Sequence, residues 1–198
     1  MDNVFPEFDN KYDYTMEVFC QTLQHLSGKG DILEFGVCSG VSTCEIAQAA
    51  TQRRVIGFDH FQGLEQTKKS HYHPTWNEGA FRVGSYESVL DRTSRFSNIH
   101  LVIEDIHKLK DPISYGIRDI VAVHIDVDIY EPTVSSLNFI EKCRWNQLLI
   151  RFDDWHGHKS EHGFDMHERL ACKEWLVRNN YHFSIPYNGH SGCVIVSR

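Results

Sequence analysis

What the chain lacks narrows its identity first. Nowhere in its 198 residues does an apolar run approach the ~18 residues of a membrane span, so no span and no membrane partner is expected. Met1 to Asn10 carries Asp2, Glu7 and Asp9 and no apolar run, which is unlike a secretory leader. Basic residues are outnumbered, 20 Lys and Arg against 27 Asp and Glu, for a formal net charge of −7. The doublet Lys68-Lys69 is too short to make a basic patch, so no nucleic-acid partner is expected. None of the six cysteines forms a CxxC pair, and Cys38 and Cys44 sit among apolar or small residues. This argues against a zinc knuckle and for reduced core thiols in a cytoplasmic protein. There is no internal repeat, no low-complexity tract and no GxGxxG.

What is present reads as one α/β domain over 1–198, with an N-terminal helical segment over 1–28. An amphipathic helix is expected over Tyr14–Leu26, stopped by Ser27-Gly28. Strands are expected at Asp31–Val37, Arg54–Phe58, Ile99–Ile103, Ile120–Ile125 and Gln147–Phe152, with helices over Val41–Ala50, Tyr86–Phe96, from Glu131-Pro132 onward, and over Phe164–Arg178. Ile120-Val-Ala-Val-His-Ile125 is nearly continuous apolar sequence, as in a strand buried on both faces. Tyr181–Ile185 and Cys193–Ser197 read as a closing antiparallel hairpin. Repeated βα units give a mostly parallel sheet with helices on both faces, and ligands bind beyond the carboxyl ends of its strands. The polar segment 62–82, with His71, His73 and Trp76, is expected to be a lid over that rim.

Glu34-Phe-Gly36-Val-Cys-Ser-Gly40-Val-Ser42-Thr43 joins a strand to a helix like a nucleotide-binding turn, but Cys38 stands where a pyrophosphate needs glycine. A carboxylate at Glu34 would repel a pyrophosphate and suits an ammonium or a sugar hydroxyl. The helix start at Gly40 and Ser42 suits a carboxylate. S-adenosylmethionine carries an ammonium and a carboxylate and no phosphate, so it fits better than NAD. Asp59, at the end of the next strand, is placed to hold ribose hydroxyls. Glu104 and Asp105 follow the third strand and could accept from an adenine amino group or simply be solvated.

A second constellation is acidic. Alternation puts His124, Asp126 and, if the chain stays extended, Asp128 on one face, and the following strand ends in Asp153-Asp154-Trp155. Convergent carboxylates require a cation, an arginine or a shared proton. Oxygen donors suit Mg²⁺, Mn²⁺ or Ca²⁺. Pairing with Arg151, or capping of the next helices, is the alternative.

Leu33-Glu-Phe-Gly-Val37, Phe58-Asp-His-Phe-Gln-Gly63, Ile125-Asp-Val-Asp-Ile-Tyr-Glu-Pro-Thr133 and Asp153-Asp154-Trp155 together resemble the macrocin O-methyltransferase family, over about residues 30 to 178. The resemblance implies a Rossmann-like class I methyltransferase that acts on sugar and related hydroxyls. It implies Asp126, Asp153 and Asp154 as metal ligands, Asp128 as general base, and Glu34, Gly36 and Asp59 as cofactor contacts. Arg151 and His124 depart from its pattern, as does the His-rich stretch after Trp155. His60 and His156 are alternative bases. The expected partner is a small-molecule hydroxyl substrate, and a homo-oligomer is left open. The rival readings are a metal-independent enzyme acting on a nitrogen or carboxylate and a non-catalytic S-adenosylmethionine-binding protein.

Overall fold

The apolar run Ile120–Ile125 becomes the central strand of a seven-stranded sheet ordered β3-β2-β1-β4-β5-β7-β6. The strands are β1 (Asp31–Phe35), β2 (Val55–Asp59), β3 (Ile99–Ile103), β4 (Ile120–Ile125), β5 (Gln147–Phe152), β6 (His182–Asn188) and β7 (Gly192–Ser197). The computed structural model describes residues 13–66, 76–156 and 166–198. Strands β1 to β5 are parallel; β7 runs antiparallel to β5, and β6 to β7. The expected architecture, mostly parallel with a closing antiparallel hairpin, is the one observed. Among the described residues no helix is long and apolar enough to cross a membrane.

The helices are α1 (Met16–His25), α2 (Val41–Ala49), α3 (Tyr86–Thr93), α4 (Tyr130–Glu141) and α5 (His167–Asn179). Alternation along the strands sorts side chains between two layers. Leu33, Phe35, Ile56, Phe58, Val123 and Ile125 pack against Leu137, Phe139 and Ile140 of α4 and Ala171, Trp175 and Leu176 of α5. On the opposite face Ile32, Val55, Ala122 and Leu149 meet Phe19 and Leu23 of α1 and Ile46 and Ala47 of α2. Each such Val, Leu, Ile or Phe side chain, fully buried, contributes ~1.5–3 kcal/mol, so the two layers hold the sheet that carries the site.

Element ends differ from the expectations for local reasons. The first strand stops at Phe35 because Gly36 turns to φ +88°. The helix after Ser85 ends at Thr93, short of the expected Phe96. Helix α5 stops at Asn180, whose left-handed φ of 52° ends it as asparagine often does. Its expected start at Phe164 lies outside the described residues. Strand β6 runs longer than expected and takes in Pro186, at a register irregularity between Ser184 and Tyr187 on the sheet edge, where a missing N–H is tolerated.

Candidate functional site

Strand order reverses between β1 and β4, and the carboxyl end of such a switch point is where an open α/β sheet leaves a crevice. The residues that reach it follow from strand periodicity. On the α1/α2 face an apolar row, Ile32, Val55, Ala122 and Leu149, is followed two residues later by Glu34, Gly57, His124 and Arg151, with Cys193 of the antiparallel β7 in register beside Arg151. Two residues further stand Asp59, Gly36, Asp126 and Asp153. A fully apolar row, a buried polar row and an acidic rim thus succeed one another toward the cleft.

Gly36 and Asp126 are built against each other. Asp126 N–H donates to the Phe35 carbonyl at 2.9 Å, and Gly36 N–H to the Phe58 carbonyl at 3.0 Å. A Cβ on Gly36 would stand 1.8 Å from the Asp126 carbonyl oxygen, and φ is +88°, so only glycine fits. Asp59 holds the rest of the turn. Its Oδ2 accepts from Val37 N–H at 2.9 Å and Cys38 N–H at 2.8 Å, and its Oδ1 from Phe61 N–H at 2.6 Å. Gly36, Cys38, Asp59 and His60 line a cleft of about 640 Å³, counting its open mouth, together with Asp105, His107, Asp126 and Asp128.

The four rim acids fall into two overlapping groups. Asp126 approaches His124 and Asp153 on one side and Asp128 and Asp154 on the other. The expectation that Asp128 extends the strand alternation is corrected: β4 ends at Ile125 and Asp128 has φ +60°. That left-handed turn, uncommon outside glycine, swings it toward Asp154. Burial, then Asp153, Asp128 and Asp154, push the Asp126 carboxyl well above its usual range. Burial and the adjacent Asp154 push Asp128 up to about 8. Asp153 differs. Burial works against its charge, but Arg151, whose Nη1 lies 2.7 Å from Oδ1, holds its carboxyl below the usual range. Arg151 is itself buried; its Nε donates to the Tyr14 carbonyl and its Nη2 to Ser191 Oγ, both at 3.0 Å. It also lies 3.3 and 3.4 Å from the two ring nitrogens of His124, which burial and this guanidinium depress to about 3, leaving it neutral.

The remaining predicted residues divide between cleft and core. Glu34 does not line the cleft; it is fully buried in the polar row, 4.0 Å from His124 Nε2. Burial raises it to about 7, a shift that the Ser42 and Thr43 hydroxyls beside it oppose. Gly40, the left-handed N-cap of α2, and Ser42 stand behind the turn and not in the cleft wall. Asp105 lines the cleft and accepts from His107 N–H, whereas Glu104 is turned away to accept from the Tyr115 hydroxyl at 2.6 Å. His60 lines the cleft, but its Nδ1 accepts from Gln62 N–H at 2.9 Å, so the neutral ring carries its proton on Nε2 and offers no free basic nitrogen there. His156 is buried between Asn188 and Arg169, away from the cleft.

The expected lid is described only at its ends. Leu64 and Ala80 are tied by a 2.8 Å hydrogen bond, and a Cβ on Gly63 would meet the Ala80 carbonyl at 2.4 Å. Residues 67–75, with His71 and His73, lie outside the described residues, as do His158 and His162. Two partners escaped the sequence reading. His107 bridges Glu65 at 2.6 Å and Ser135 at 2.7 Å, joining segments far apart in sequence. Glu168 of α5 is wholly buried beneath the acids. Its signal was present, because it falls one helical turn before Ala171 and Cys172, on the apolar face where a carboxylate does not belong.

No family model and no curated protein matches the chain. Solved structures do. The O-methyltransferase NovP superposes with a TM-score of 0.71 at 17% identity, over 92% of this chain and 78% of that one. The calicheamicin methyltransferase CalS11 gives 0.66 at 21% identity, over 92% and 76%. Fibrillarin from Aeropyrum pernix, solved with natively bound S-adenosyl-L-methionine, gives 0.51 at 14% identity, over 91% and 74%. At such identities the likeness is one of architecture: the chain shares the Rossmann-like fold of these methyltransferases.

Proposed function

We propose that the chain is an S-adenosylmethionine-dependent O-methyltransferase that methylates a hydroxyl of a small molecule, of sugar or natural-product type, with the help of a divalent cation. The observation that carries this reading is the contact of Gly36 with the Asp126 carbonyl, which fuses a glycine turn without a phosphate-binding pattern and an acidic rim into one cleft. The names of two structural neighbours agree with it, NovP being an O-methyltransferase and CalS11 a TDP-rhamnose 3'-O-methyltransferase.

The residues fit both groups. The turn that Asp59 holds by three backbone N–H groups is a rigid seat without a Cβ at Gly36. S-adenosylmethionine would supply a methyl on a sulfonium there, and the chain's task is to align an acceptor oxygen with it. For the cation, the donors are carboxylate oxygens whose mutual repulsion a positive charge relieves. We assign it to Asp126 and Asp154, since Arg151 already neutralises Asp153 and Mg²⁺ is commonly held by only one or two carboxylates. Its chemistry would be to bind the acceptor oxygen as Lewis acid and template. Asp128, beside Asp154 at the rim, would accept the hydroxyl proton once a cation offsets the repulsion that otherwise keeps its carboxyl protonated. His60 and His156 are less suited, one by its tautomer and the other by its burial.

The metal-independent reading draws support from Arg151, a fixed cation already among the acids. Transfer of labelled methyl from S-adenosylmethionine to a panel of sugar nucleotides, phenols, amines and carboxylic acids, before and after exhaustive chelation, distinguishes them. Labelled sugar or phenol ethers that vanish on chelation and return with Mg²⁺ are expected. Full activity after chelation would favour the metal-independent enzyme, and no transfer despite tight cofactor binding would favour a binding protein.

A further inference from the structure

The parallel ladder between β4 and β5 ends where Asp153 N–H donates to the Ile125 carbonyl at 3.0 Å. Beyond that rung the chains diverge into the segments that carry Asp126, Asp128 and Asp154, and the next backbone donors need an acceptor from elsewhere. Glu168 provides it. Its Oε1 accepts from Val127 N–H at 3.1 Å and its Oε2 from Asp154 N–H at 3.0 Å. Val127 lies between Asp126 and Asp128, so a single carboxylate grips both acid-bearing segments by their backbones.

Two features mark this grip as built rather than incidental. Glu168 has no exposed surface, and burial together with Asp154, Asp126 and Asp128 pushes its carboxyl well above the usual range, so this costly group is held in place by the two N–H bonds that it accepts. The residues beside it are also held in uncommon conformations: Asp128 has φ +60°, and His167, the first residue of α5, has φ +45°. The His167 turn brings the start of the helix under the rim.

We propose that Glu168 is a positioning residue that sets the spacing of the two acid-bearing segments, and through it the affinity for the divalent cation. The proposal rests on the cation reading above. Two converging N–H groups cannot bond each other, and a carboxylate satisfies both. Glutamine satisfies one and turns an NH₂ against the other. Positioning partners behind metal ligands typically change metal affinity about 10–100-fold.

The test is titration of the full chain with Mn²⁺, following free ion by electron paramagnetic resonance, for the wild type and Glu168→Gln. Calorimetry with S-adenosylmethionine and circular dichroism run in parallel. The expected result is a folded variant with Mn²⁺ affinity down at least about tenfold and cofactor affinity nearly unchanged. A merely structural role would weaken both together or neither, and either outcome overturns the proposal. A wild type that binds no Mn²⁺ overturns the cation reading and this proposal with it, whereas equal Mn²⁺ binding by wild type and variant overturns this proposal alone. Should Glu168→Gln not fold, hydrogen exchange in the wild type decides: the Val127 and Asp154 amides should be as protected as β4 amides, and rapid exchange at either overturns the assignment.

Discussion

Glu34 is a carboxylate with nowhere to put its charge. It is fully buried, and burial raises it to about 7, the Ser42 and Thr43 hydroxyls beside it offsetting only part of that shift. Because its folded value lies above the unfolded one, its contribution to stability is full below the unfolded value of 4.5 and is lost as pH rises through about 7. Glu34→Gln keeps the shape and removes the titration. Urea unfolding at pH 5 and pH 8 should therefore find the wild type losing up to about 3 kcal/mol relative to the variant. An identical pH dependence in the two proteins would contradict the placement of Glu34. At the rim, Asp128→Asn should retain cofactor and cation but lose about 10²–10⁴-fold in turnover, the usual worth of a general base. Asp126→Asn and Asp154→Asn should weaken Mn²⁺ at least about tenfold, ~1.4 kcal/mol, and Asp153→Asn much less. Equal losses from all three would return Asp153 to the ligand set that the family resemblance implies.

Among the elements, strands were easier to read than what lies beyond their ends. Ile99–Ile103, Ile120–Ile125 and Gln147–Phe152 are legible to the residue; the central Ile120–Ile125 is a nearly continuous apolar run because it is covered on both faces, whereas Ile99–Ile103 is a partly exposed edge strand marked by its aliphatic residues. The rim acids are legible as residues, since alternation carries Asp126 to the mouth of the sheet. Their division is not. Arg151 looks like an intruder in a strand until Tyr14 and Ser191, distant in sequence, are seen to hold it beside Asp153. Asp128 reaches Asp154 by a left-handed turn that no period foretells. The Gly36 turn links these segments, and its glycine admits no substitute. Gly36→Ala would put a Cβ 1.8 Å from the Asp126 carbonyl. It should cost more than about 3 kcal/mol in urea unfolding, well above the usual single substitution, and weaken cofactor and Mn²⁺ binding together. A stable variant with normal binding would contradict the shared wall.

For the whole molecule, the central claim is that one cleft at the switch point of this sheet serves both a sulfonium cofactor and a cation-bound acceptor. The sheet order makes the crevice, the glycine turn forms one wall and the acids form the other. Calorimetric titration of the full chain with S-adenosylmethionine, with and without Mg²⁺, and with NADH as competitor, tests the claim most directly. The account predicts one site per chain with a Kd on the order of micromolar, about −8 kcal/mol, and no heat from NADH. Tight binding of NADH with none of S-adenosylmethionine would contradict it.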